Sequence, residues 1–150
     1  MMRYLSVHDL VWINTIVTGK TLVFDYEKLE AVMAAQYGYG QSNNVPLQAA
    51  SFLETALKKR PFAYGNLRVA FVALVTYLNA NGYALEVDDR RAAEIIQSVS
   101  KGELSSSQAI AEMSSPTDQK LKPGTTLRQL VSFICNHHAE ALKLLKEGDE

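Results

Sequence analysis

The chain has 150 residues, 47% of them hydrophobic and 21% charged, with a formal net charge of −1. That length suits one domain around a single core, and the near-neutral balance excludes the basic footprint of a nucleic-acid binder or an anionic-membrane binder. A single cysteine, Cys135, excludes an internal disulfide framework and fits a reducing compartment.

The N-terminal run MMRYLSVHDLVW carries Asp9 within its apolar stretch and no small-residue cleavage site, so no signal peptide is expected. Ser6 and Asp9 form a weak capping box, and Val7, Leu10, Val11, Asn14 and Val17 continue at helical spacing up to Gly19. Asp25 caps a second helix from Tyr26 to about Tyr37, with Leu29, Val32 and Met33 on one face. Residues 37–44, YGYGQSNN, read as a loop or short hairpin, and Tyr37 and Tyr39 suggest a surface that touches something. Pro46 suits the first turn of a third helix, which Pro61 ends.

The next helix begins near Asn66. From Leu67 to Leu78 it has almost no polar face, which places it at the centre of a bundle. Its most apolar stretch, Val69 to Leu78, is far short of the roughly 20 residues a membrane span needs, so a soluble cytoplasmic protein is expected. Asn81-Gly82 stops it. Tyr83 to Val87 is a strand candidate. Asp88 opens a helix through Ser100, and Ser105 with Gln108 caps a short one ending near Met113. Pro116 to Gly124 reads as a linker. Thr126 and Gln129 cap a final helix to about Lys146, with a seam of Leu127, Leu130, Val131, Ile134, His138, Ala141 and Leu145. The fold expected is all-α, with six or seven helices around one buried helix.

The loop before the central helix carries the chemistry. The first N–H groups of a helix lack intrahelical partners and sit at the positive end of its dipole. In "GNLR", Gly65 and Asn66 allow close approach to that backbone, and Arg68 adds a bidentate cation one turn in. A phosphate site and simple helix capping both fit. Cys135, His137 and His138 raise a zinc reading, but only Cys135 and His138 share a helix face and no second ligand pair is visible, so no metal site is expected.

"RPFAYGNLRVA" followed by "YLNANGY" resembles the active-site loop and central helix of the Fic/Doc (death-on-curing) family, whose motif reads H-P-F-x-[DE]-G/A-N-[KG]-R. "YLSVHDLVWIN" resembles the family's first helix, the tyrosine loop sits where its target-docking flap lies, and "VDDRRAAEIIQSVSKGELSSSQAIAEM" resembles the end of a Doc domain. Residues 3–115 are covered; 116–150 form a linker and a C-terminal amphipathic helix packed on or extending that domain. The resemblance implies an all-helical bundle with a short β-hairpin flap, of the prokaryotic toxin–antitoxin kind. It implies an activity that transfers AMP or phosphate from ATP to a protein hydroxyl. In the motif, His is the general base, Asp or Glu holds Mg²⁺, the Gly-Asn backbone forms the anion hole and the last Arg pairs with phosphate.

This chain keeps Pro61, Phe62, Gly65, Asn66 and Arg68, but Arg60 replaces the His, Tyr64 the carboxylate and Leu67 a frequent Lys or Gly. Arginine stays protonated and cannot serve as a base, and losing a general base costs on the order of 10²–10⁴ in rate. A tyrosine is a poor Mg²⁺ ligand. The motif reads as catalytically degenerate. Arg60 and Arg68 would make a phosphate clamp for ATP or another anion, and Arg60 reads equally as a cap on the preceding helix beside Lys58 and Lys59. The inhibitory [ST]-x-x-x-E-[GN] motif of some relatives is absent: Lys143 stands four residues before Glu147-Gly148. A binding module for an anion or a protein is expected, with a divergent transferase as the alternative. A protein partner, either a target or an antitoxin-like companion, or a homodimer through the last helix is the interaction left open.

Overall fold

The computed structural model describes residues 2–21, 23–38 and 43–149. Within them the order is α1 (Val7–Thr18), α2 (Tyr26–Ala35), α3 (Val45–Lys59), α4 (Asn66–Ala80), β1 (Tyr83–Leu85), α5 (Asp89–Ser100), α6 (Ser106–Met113), β2 (Ser114–Pro116), α7 (Leu127–His137) and α8 (Ala139–Lys146). The architecture is predominantly α-helical. Local chemistry sets most of the boundaries. Ser6 and Asp9 close a reciprocal capping box on α1, as Thr126 and Gln129 do on α7. The side chains of Asp25, Asn44, Asp88 and Ser105 each accept an N–H from the first turn of α2, α3, α5 and α6.

Helix α4 is the axis of the molecule. Every residue from Asn66 to Leu78 is buried. It is wrapped by α1, α3, α5, α7 and α8, with α2 packed on α3 and α6 on α3 and α5. A helix without a polar face is stable only when neighbours cover it on all sides. Phe71 and Tyr77 of α4, with Phe52 of α3, are among the fully buried large side chains of the core. The Tyr77 hydroxyl has no hydrogen-bond partner among the described residues, and burial, reinforced by Tyr4, pushes its pKa up.

Three expectations are corrected. Eight helices are present among the described residues rather than six or seven. The strand at Tyr83 pairs antiparallel with Ser114–Pro116, at the junction read as helix end and linker; the register is Tyr83 with Pro116 and Leu85 with Ser114. The final helix is two helices. The chain breaks at His138 (φ −112°, ψ 35°) because Asp89 of α5 reaches across: one carboxylate oxygen lies 2.7 Å from His138 Nδ1 and the other accepts the Ala141 N–H at 3.2 Å. The apolar seam keeps its spacing through the break, so sequence periodicity does not register it. The tyrosine loop is described only in part. Tyr37 packs against Tyr4 with centroids 4.5 Å apart and planes tilted by 42°, whereas Tyr39 lies outside the described residues.

Candidate anion-binding site

The loop between α3 and α4 is held from three directions. Arg60 ends α3 in a left-handed conformation (φ 46°), its N–H donating to Ala56 O at 3.2 Å. A non-glycine residue there stores strain of about 1–3 kcal/mol. Asn66 then staples the loop to the helix: its Oδ1 accepts the Phe62 N–H at 3.0 Å and its Nδ2 donates to Phe62 O at 2.7 Å. From outside, Val23 to Asp25 pairs with the loop in strand fashion. Asp25 N donates to Pro61 O at 2.8 Å, Ala63 N donates to Val23 O at 3.1 Å, and the Phe24 ring meets Phe62 edge-on. From α1, Asn14 Nδ2 donates to Tyr64 O at 2.9 Å.

Gly65 is required twice over. Its φ is +88°, and an added Cβ would lie 2.7 Å from Thr18 Cγ2 and 3.1 Å from Asn14 Nδ2. Gly65→Ala is therefore expected to cost about 2–4 kcal/mol, the left-handed penalty plus displacement of the end of α1. Gly102→Ala, at φ +77° with nothing within 4 Å of the added carbon, is the control and should show the left-handed penalty alone. Equal losses in urea unfolding would refute the close approach.

At the head of α4 three donors converge on one carboxylate. Leu67 N donates to Asp149 Oδ1 at 2.9 Å, and Arg68 N and Nε donate to Asp149 Oδ2 at 3.3 and 2.9 Å. The Asp149 side chain is fully buried and that of Arg68 is 4% exposed. Two orphan helix N–H groups, the positive end of the dipole and a guanidinium act on the same charge. Arg68 is itself pinned by Nη1 to Val17 O at 2.7 Å, with its guanidinium carbon 5.1 Å from the Tyr64 ring centroid. Its Nη2 is buried without a hydrogen-bond partner among the described residues. Asp149 reaches this place because α8 packs on α4 and α5, and a turn after its end carries Gly148 N to Leu145 O and Asp149 N to Lys146 O, each at 3.2 Å. No protein-family model, curated protein or solved structure matches this chain.

The sequence-derived residues sort by geometry. Arg68 and the helix N–H groups form the cradle, and the N–H donors are those of Leu67 and Arg68, one and two residues beyond Asn66. Pro61 and Phe62 are buried parts of the loop, and the Asn66 side chain faces Phe62 rather than the carboxylate. Tyr64 covers the Arg68 guanidinium with its ring. Sequence reasoning missed Asp149, Asn14 and Val17. The acid on Arg68 is Asp149, two residues beyond Glu147 of the Glu147-Gly148 pair. Magnesium does not fit these residues. Tyr64 turns its ring onto Arg68, and the carboxylate in the cradle is spent on three N–H donors. Among the described residues no group of three or more His, Cys, Asp or Glu side chains is arranged for a metal. Cys135 is half-buried, which pushes its thiol pKa up and leaves it a weak nucleophile. No helix among the described residues is long and apolar enough to cross a membrane.

Proposed function

We propose that this protein is a catalytically degenerate relative of the Fic/Doc transferases that acts as a binding module for a phosphate-bearing ligand at the head of α4. The observation that carries the reading is the convergence of Leu67 N–H, Arg68 N–H and Arg68 Nε on one oxyanion. A group that presents two oxygens to those donors also describes a phosphate. The Arg68 Nη2, unmet among the described residues, supports phosphate over carboxylate, because a phosphoryl group has further oxygens to offer a donor that Asp149 does not reach.

Catalysis is not part of the proposal. Arg60 cannot accept a proton. His8 lies in the first turn of α1, at the other end from the residues that touch the loop, and His137 and His138 line a groove beside β1. In the resting protein Asp149 holds the cradle, so a ligand binds by displacing it and its apparent affinity is lowered by the cost of that displacement.

Calorimetric titration with ATP, with and without Mg²⁺, tests the reading. Asp149→Asn, which removes the competing charge, is expected to bind at least ~10-fold more tightly than the natural chain, one decade per 1.4 kcal/mol. Arg68→Ala in either background should abolish binding, and Mg²⁺ should add little. Asp149→Asn that binds no ATP at millimolar concentration would refute a nucleotide pocket. Phosphoryl or adenylyl transfer to protein by the natural chain would refute the degenerate reading.

A further inference from the structure

A second cavity lies at the other end of the molecule, between the loop after β2 and the outer face of α7. It is an open groove with a volume of about 540 Å³, within the ~300–1,000 Å³ of small-molecule sites. Asn79 lines it, close to the C-terminal end of α4. The cradle at Arg68 is about 16 Å away along the helix axis, at 1.5 Å per residue.

Its lining has two halves. Tyr83, Leu85, Leu121 and Phe133 supply apolar and aromatic surface, and Lys120 and Lys122 supply charge. Phe133 is 59% exposed. It is stacked on His137, with centroids 5.3 Å apart and planes 11° from parallel, so the two rings form an ordered platform on α7. Among the described residues no Asp or Glu lines the cavity, although acids outnumber Lys and Arg in the chain by 16 to 15. Asp89, the carboxylate that reaches His138, is committed to that ring and to the Ala141 N–H. Lys120 and Lys122 therefore line the groove without a competing acid beside them among the described lining residues.

We propose that this groove binds a planar aromatic ring carrying an anionic group, the class that includes nucleoside monophosphates. The ring stacks on the Phe133–His137 platform, and the anion pairs with Lys120 and Lys122. Each part supplies what the other lacks. Stacking on an exposed aromatic strengthens binding roughly 2–10-fold, exposed ion pairs strengthen it roughly 1.5–5-fold each, and neither alone holds a ligand at useful concentration. The site is independent of the cradle and does not rest on the proposal made for it.

The test is an ¹⁵N NMR titration of the full chain with AMP, adenosine and inorganic phosphate. AMP is expected to shift the amides of Leu121, Lys122, Phe133 and His137. Phe133→Ala, an exposed position, should weaken AMP roughly 3–10-fold, and Lys120→Ala with Lys122→Ala should weaken it about 10-fold at low salt while nearly erasing its salt dependence. Adenosine and phosphate should each bind far more weakly than AMP. Shifts confined to Leu67 and Arg68 would place AMP in the cradle and overturn the proposal. Adenosine matching AMP would remove the anion from it, phosphate matching AMP would remove the ring, and no shifts at about 10 mM AMP, an affinity weaker than about −2.7 kcal/mol, would leave no site.

Discussion

Asp149→Ala is expected to lower the stability of the protein by about 3–5 kcal/mol in a buffer without multivalent anions, and to recover much of that loss when phosphate is added. The loss follows from what remains. Arg68, 4% exposed in the natural chain, is left with its Nε, its backbone N–H and that of Leu67 stripped of their common acceptor, and removing one partner of a buried ion pair leaves an uncompensated charge. For a chain of this size each kcal/mol is roughly 2–4 °C, so the midpoint should fall by about 6–20 °C. Phosphate that enters the vacated cradle stabilises the native state by mass action, about 2.7 kcal/mol at one hundred times its dissociation constant. Thermal melts across a phosphate series read both effects. Arg68→Ala combined with Asp149→Ala should be much less destabilised than the sum of the two single changes, because the two groups are in direct contact. A loss under ~1 kcal/mol with no response to phosphate would mean that Asp149 is not the counter-ion of Arg68.

Phe71→Ala is expected to cost about 3–5 kcal/mol, the range for emptying a buried aromatic site, and to loosen α8 out of proportion to the rest of the molecule. Phe71 is fully buried one turn after Arg68. Its ring meets that of His138 edge-on at 5.8 Å, at the point where α7 gives way to α8. The cavity therefore opens beneath the residue whose contact with Asp89 sets the start of the helix that delivers Asp149. Amide hydrogen exchange should show Leu142, Leu145 and Asp149 losing protection before the amides of α3. Phe71→Leu, which retains most of the volume, should cost under ~1.5 kcal/mol and leave that order unchanged. Uniform loss of protection in Phe71→Ala would mean that α8 has no separate dependence on Phe71.

The two variants touch one arrangement from opposite ends. Helix α8 is anchored at its start by Asp89 and His138, and the turn after its end places a carboxylate on the head of α4. A ligand that displaces Asp149 acts on an element held by a short list of contacts, the kind that opens at less than the global unfolding cost.

Much of this was legible from the residues alone, for a definite reason. Helix starts are local events. Ser6 with Asp9, Asp25, Asp88, Ser105 and Thr126 with Gln129 each satisfy orphan N–H groups within three residues of themselves, so a short window contains both donor and acceptor. The apolar run after Asn66 names the central helix because no other location satisfies a helix without a polar face. The head of that helix, with Gly65 and Arg68, reads as an anion site because dipole, orphan donors and cation follow one another in sequence.

What only the tertiary structure decided involves partners distant along the chain. Asp149 stands 81 positions from Arg68, and nothing in its neighbours EGDE distinguishes it from a solvated terminal acid. The split of the last helix depends on Asp89, 49 positions before His138, and the seam of apolar residues continues unbroken across it. Ser114–Pro116 becomes a strand only because Tyr83–Leu85 lies beside it. The residues themselves determined the helices and the electropositive helix head. Packing α8 against α4 and α5 determined which carboxylate fills it, because a buried charge takes the counter-ion that the fold brings within hydrogen-bonding distance, and sequence separation carries no information about that distance.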